Sequence, residues 1–207
     1  MSQTPVTTLT PAMAPTPAAL LPGWYGKLPH LGDFASRRLP DAFIVGWDAW
    51  LGQALAVSRQ ALGGRWLAGY LVAPIVRFWL APGLLGAGAW AGLVMPSVDR
   101  VGRHFPLTVA QAGVPLAQAQ AAPGWFAALD AAMRLALDVD FTVDDLERTL
   151  AQAVRHSPLP APAGEAAAPE AAAGSLWWFP SAGGELRCHF DALPPVQALS
   201  GLLGACA

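Results

Sequence analysis

Apolar positions recur every three or four residues between Phe43 and Leu62. Phe43, Trp47, Trp50, Leu51, Leu55 and Leu62 form one stripe, the spacing of an amphipathic helix with Trp47 and Trp50 in the core. Pro40 and Asp41 suit its first turn, and Gly63-Gly64 its end. On either side the period changes. Trp24–Pro29 predicts a short strand entering a turn, and His30–Phe34 a loop. Trp66–Leu80 carries Tyr70, Val72, Ile75, Val76, Phe78 and Trp79 and predicts strand, broken or pushed to an edge at Pro74. Pro82-Gly83 turns the chain into a Gly-Ala segment. Leu93–Met95 and Phe105–Ala110 then predict two buried strands.

A second helix follows Pro123-Gly124, with Trp125, Leu129, Met133, Leu135 and Leu137 as its core positions. Thr142, followed by Asp144 and Asp145, has the pattern of a helix N-cap, and the third helix runs to about Arg155. Residues 158–174 are rich in Pro, Ala, Gly and Glu and predict a flexible surface loop. The runs 175–179 and 185–190 flank Gly183-Gly184 and predict a hairpin whose loop is a little longer than two residues. Trp177 and Trp178 must point to opposite faces of their strand, so one of them needs a second buried face or a contact surface. Pro194-Pro195 leads into a short apolar C-terminal segment. Strands interleaved with three helices give an α/β sandwich with a mixed sheet.

Composition narrows the class. The 207 residues suffice for one sizeable core. Mean hydropathy is +0.40, much of it from alanine and glycine. The 21 residues from Phe78 to Val98 carry no charge, the length of a membrane span. Two prolines and four glycines within them instead split the run into a strand end, a turn and a second strand. Residues 1–22 have no basic residue and five prolines, which predicts a disordered lead-in rather than a signal peptide. Cys188 and Cys206 give neither a disulfide framework nor a metal quartet, which fits a cytoplasmic setting. Net charge is −2 but divided. Residues 21–110 hold eight basic and four acidic side chains, or +4, and residues 111–207 hold four and ten, or −6. That polarity suits a protein partner and is too weak for a nucleic-acid footprint.

Candidate chemistry concentrates in Met95–Leu107, where Ser97, Asp99, Arg100, Arg103 and His104 interrupt apolar sequence. Ser97, His104 and an acid supply the residue types of a serine hydrolase, but no G-x-S-x-G elbow surrounds Ser97. Serine ending a strand also bonds loop backbone. The four histidines are dispersed and no phosphate-binding glycine loop occurs, so no metal or cofactor is expected. Lys27, Asp33, Arg77, Asp99, Arg100 and Arg103 remain, with Arg37 and Arg38 beside them. Asp99 pairing with Arg103 or Arg100 would staple the loop. The same arginine-rich set would also form an interaction face or anion site. Residue chemistry leaves both open.

Four blocks in order, WYGKLPHLGDFASRRLP (24–40), WDAWL (47–51), APIVRFWLAPG (73–83) and GLVMPSVDRVGRHFPLTV (92–109), resemble the TagF/ImpM family, accessory proteins of bacterial type VI secretion systems. SLWW (175–178) is similar to the family's C-terminal portion. The resemblance implies a single domain over 23–207 built as a three-layer α/β/α sandwich, without enzymatic activity. It implies post-translational repression of secretion through a forkhead-associated scaffold protein, opposing a Ser/Thr kinase–phosphatase route. A PP2C-type phosphatase, fused in some relatives, is expected here to be a separate protein. By motif position the family-like polar residues are Lys27, Asp33, Arg77, Ser97, Asp99, Arg100 and Arg103. The rival readings are the Ser97/His104 hydrolase and a peripheral membrane-associated component resting on the apolar 78–98 run.

Overall fold

The computed structural model describes residues 21–161, 173–181, 183–198 and 200. Most of the expected lead-in and of the 158–174 loop, and the end of the C-terminal segment, lie outside them. Thirteen elements follow in chain order: strands β1 (Gly23–Gly26) and β2 (Ala35–Arg37), helix α1 (Asp41–Leu62), a 3₁₀ turn (Gly63–Arg65), helix α2 (Trp66–Val72), strands β3 (Val76–Leu80), β4 (Trp90–Met95) and β5 (Leu107–Ala112), helices α3 (Leu116–Gln120), α4 (Pro123–Leu135) and α5 (Val143–His156), and strands β6 (Ser175–Ser181) and β7 (Gly184–Phe190).

The seven strands form one sheet in the order β2-β1-β5-β4-β3-β6-β7. Every strand pair in it is antiparallel, which corrects the expected mixed sheet. A parallel pair needs a crossover that lands beside its starting strand. Neither helical excursion does so. The α1–α2 excursion carries the chain from the β2 edge to β3, past three intervening strands. The α3–α5 excursion brings β6 back antiparallel to β3.

Alternating strand residues feed two separate apolar clusters. Tyr25, Phe78, Leu80 and Trp177 pack with Phe43, Trp47, Leu51 and Leu55 of α1 and with Trp66 and Tyr70 of α2. Trp24, Trp79, Leu93, Val109 and Trp178 pack with Trp125, Leu129 and Met133 of α4 and with Leu146 and Leu150 of α5. Period-two alternation on the strands assigns each residue to its face. Trp177 and Trp178 are accordingly both buried, one in each cluster, as the expectation of a second buried face required. The Trp47 Nε1–H donates to Thr108 Oγ1 at 2.8 Å, so the buried indole leaves no polar atom unpaired.

Several elements differ from expectation. Trp66–Val72 is helix, because Trp66 and Tyr70 are one turn apart and bury together while Leu67, Leu71 and Val72 stay exposed. Pro74 separates this helix from β3, and the strand begins only at Val76. β2 and the short α3 are additional elements, β4 starts earlier than expected at Trp90, and β5 starts later at Leu107. Leu135 and Leu137 are exposed rather than core, since α4 ends at Leu135 and its buried stripe closes with Met133. Trp50 is half-buried against the α1-side cluster. The β6–β7 ladder extends to the Ser181–Gly184 pair, a tighter hairpin than expected. Thr142 does cap α5: its Oγ1 accepts from Asp145 N–H at 3.2 Å, and Asp145 Oδ2 accepts from Thr142 N–H at 2.9 Å. Among the described residues no helix is long and apolar enough to cross a membrane. The uncharged 78–98 run divides between β3, a turn and β4.

At the sheet's centre Gly92 pairs with Phe78 and Ala110. A Cβ there would run into the Val109 carbonyl oxygen and lie 2.8 Å from Phe78 Cζ. Gly92→Ala is expected to cost roughly 1–3 kcal/mol in urea unfolding. Gly52→Ala, at an exposed position of α1 with nothing within 4 Å, is expected to gain about 0.5–1 kcal/mol.

Candidate functional site

The loop after β1 (27–34) and the loop between β4 and β5 (96–106) meet at one end of the sheet. Gly26 lets them do so. Its φ is +139°, and a Cβ would collide with the Pro106 carbonyl and approach Leu107 Cα at 2.9 Å. Only glycine allows β1 to leave the sheet that close to the start of β5. Lys27 then falls beside Asp99.

The Asp99 side chain is completely buried and saturated. Its Oδ2 accepts from Lys27 Nζ at 2.5 Å and Arg103 Nε at 2.7 Å. Its Oδ1 accepts from the Val101 and Arg103 amides at 3.1 and 2.9 Å. Burial pushes this carboxyl up, but the Lys27 ammonium and the Arg103 backbone and side-chain donors outweigh it and hold it well below the usual carboxylate range. A buried ion pair recovers its desolvation cost only when further hydrogen bonds satisfy the remaining lone pairs. Asp99 meets that condition. Local pairing with Arg103 is therefore present, but the buried partner is Lys27, 72 residues away in sequence, and no ion pair joins Asp99 to Arg100.

Further bonds sew the two loops together. Ser97 Oγ donates to the Lys27 carbonyl at 2.7 Å, and the Arg100 amide donates to Leu31 O at 2.8 Å. Arg103 Nη2 donates to Gly32 O at 2.5 Å and lies 4.0 Å from Asp33 Oδ1. From α2, Tyr70 clamps Ser97: its hydroxyl accepts from Ser97 N–H at 3.0 Å and donates to Ser97 O at 2.9 Å. Phe34 lies over Tyr25 and against Phe105, with Lys27 Nζ 4.4 Å from its ring centre. What the clamp leaves outside is a short hook. Val101 is 66% exposed, Phe34 43%, and Arg100 and Asp33 are exposed.

Six of the seven sequence-derived polar residues, Lys27, Asp33, Ser97, Asp99, Arg100 and Arg103, thus come together. Arg77 does not. It sits on β3 in a pocket of about 430 Å³ with Phe126, Asp130, Trp178 and Glu185, paired with Glu185 and 5.4 Å from the Phe126 ring centre. Burial lowers the Arg77 pKa, and the nearby Arg187 charge adds to the effect. Sequence reasoning missed Tyr70, read as a strand residue. Its helical spacing from Trp66 was the available signal. It also missed Glu147 on α5, which accepts from Trp24 Nε1 at 2.6 Å and Arg38 Nη1 at 2.6 Å and ties β1 and the end of β2 to that helix.

The arrangement does not pose Ser97 as a nucleophile. The Ser97 hydroxyl is buried and committed to a backbone carbonyl. His104 packs its ring edge-on against Trp66 and Tyr70 at 5.8 and 5.4 Å, and burial followed by Arg59 lowers its pKa. No hydrogen bond joins the Ser97 and His104 side chains. Among the described residues no group of three or more His, Cys, Asp or Glu could hold a metal.

Because the folded-state pKa of Asp99 is depressed, its contribution is complete above the unfolded value of about 4 and lost as pH falls through the folded value. Asp99→Asn, which leaves Lys27 buried without its counter-charge, is expected to lower the urea midpoint more than Arg103→Ala. The gap to wild type should stay constant from about pH 8 to 5 and narrow below about pH 4.

Residues 23–153 match the family described as TagF N-terminal domain, type VI secretion system-associated. That range includes both loops and all seven polar residues. Among solved structures, the crystal structure of PA0076 from Pseudomonas aeruginosa PAO1 is 37% identical, with a TM-score of 0.73 over 88% of this chain and 93% of that one. No curated protein matches the chain. The chain belongs to the TagF family of type VI secretion system-associated proteins.

Proposed function

We propose that this protein is a non-enzymatic, post-translational repressor of type VI secretion that acts in the cytoplasm by binding the system's forkhead-associated scaffold protein. The observation that carries the reading is the clamp around Asp99. Helix α2 and two loops brace an exposed Arg100-Val101-Gly102 turn. Preorganisation of this kind lowers the ordering cost of binding. A saturated carboxylate and a bonded serine serve support better than catalysis, which favours a binding role over the Ser97/His104 hydrolase. Helices packed on both faces of the sheet support the three-layer α/β/α sandwich and one domain over 23–207. In this reading the protein opposes a Ser/Thr kinase–phosphatase route, and Arg77 supports the sheet rather than the binding face.

Two outcomes are expected. Arg100→Glu combined with Val101→Asp, which leaves every Asp99 bond in place, should weaken scaffold capture in a quantitative pull-down by about tenfold or more with unchanged thermal stability. Deleting the gene should raise release of the secretion tube protein. Binding that survives the double substitution would remove the hook from the interface, and unchanged secretion would remove repression.

A further inference from the structure

We propose that β7 is a self-association edge, through which two copies of this chain join their sheets antiparallel with Glu185 of each opposite Arg187 of the other. The argument is independent of the loop face. The sheet's two edges are unlike. β2 offers three residues, too short to template pairing, whereas β7 offers seven. No described strand pairs with its outer side. From Gly184 to Arg187 β7 is exposed on both faces. Its tip therefore projects beyond the helices, with Leu186 56% exposed beside its cross-strand neighbour Phe179.

Charge complementarity selects the occupant and the register. A two-fold pairing of β7 with itself must oppose residues of the same parity, so that outward main-chain groups meet outward groups. Centring on Arg187 would set two arginines face to face, and centring on Glu185 two glutamates. Centring on Cys188 would oppose Glu185 to Asp191. Centring on His189 would oppose Arg187 to Asp191, but Asp191 lies beyond the strand and the exposed 184–187 tip would be left without strand partners. Centring on Leu186 sets Glu185 against Arg187 twice and Leu186 against its own copy, flanked by both Phe179 rings. Like charges directly opposite are unfavourable and opposite charges favourable in such pairs, so the sequence of β7 fits a second copy of itself in this register. Glu185 already lies with Arg77 and 3.4 Å from its own Arg187 Nε, on the face where the second copy's arginine would arrive.

The test is sedimentation equilibrium of the full chain up to about 100 µM, with unfolding curves recorded for each variant. Wild type should dimerise, and Arg187→Glu should raise the dimer dissociation constant about tenfold or more while keeping the Glu185–Arg77 pair. In a Cys188→Ser, Cys206→Ser background, Leu186→Cys should form a covalent dimer on mild oxidation, and His189→Cys, which the register places opposite Gly183, should not. A wild type that stays monomeric throughout, an Arg187→Glu dimer as tight as wild type, or equal cross-linking at 186 and 189 would each overturn the proposal.

Discussion

A single buried carboxylate organises the end of the molecule that bears its family signature. Asp99 sits where no solvent reaches it, and an isolated charge there would be prohibitively costly. It is tolerated because Lys27 and Arg103 supply counter-charge and two main-chain amides complete its hydrogen bonding. The consequence is geometric. Lys27 closes the first loop and Arg103 the second, so one carboxylate fixes their separation and orientation. Ser97 and Tyr70 then add fixed hydrogen bonds that need no charge. The exposed hook is closed by its own bonds to Asp99 and held from beneath by Lys27 and Tyr70.

The sheet makes this possible by standing between two cores of different character. On one face α1 and α2 supply a dense aromatic layer around Trp47, Phe78 and Trp177. On the other α4 and α5 pack with more aliphatic side chains against Trp79, Leu93 and Val109. Tyr70 belongs to the first layer yet reaches the loop, so the hook is coupled to the rigid core. Glu147 does the corresponding work from the second layer, receiving Trp24 and Arg38. Both ends of the first loop region are thereby tied to α5, while Tyr70 ties the second loop to α2 on the opposite face.

Much of this was legible in the amino-acid pattern, and the failures have physical reasons. The α1 stripe, the α5 cap and the opposite facing of Trp177 and Trp178 follow from period and capping chemistry, which are local. Trp66–Val72 reads as strand because β-branched and aromatic residues favour strands on average, whereas the burial of Trp66 and Tyr70 one turn apart decides for helix. The mixed sheet was wrong because strand direction is set by where long excursions land, which local sequence does not encode. Motif position could not separate Arg77, whose neighbour Glu185 comes from the far hairpin, from the six polar residues that lie together. Asp99 pairing with Arg103 could be anticipated from spacing. Its deeper partner, Lys27, could not, since the two lie 72 positions apart and the β1–β5 pairing brings them together.

The central claim is that the Lys27–Asp99 contact preforms the hook in the free protein. Amide hydrogen exchange at Val101 and Arg103, the two main-chain donors to Asp99, tests it most directly. Both amides should be protected in wild type despite their exposed loop, and Lys27→Met should abolish that protection while leaving the amides of β4 and β5 unchanged. Amides that exchange freely in wild type, or that stay equally protected in Lys27→Met, would contradict the account.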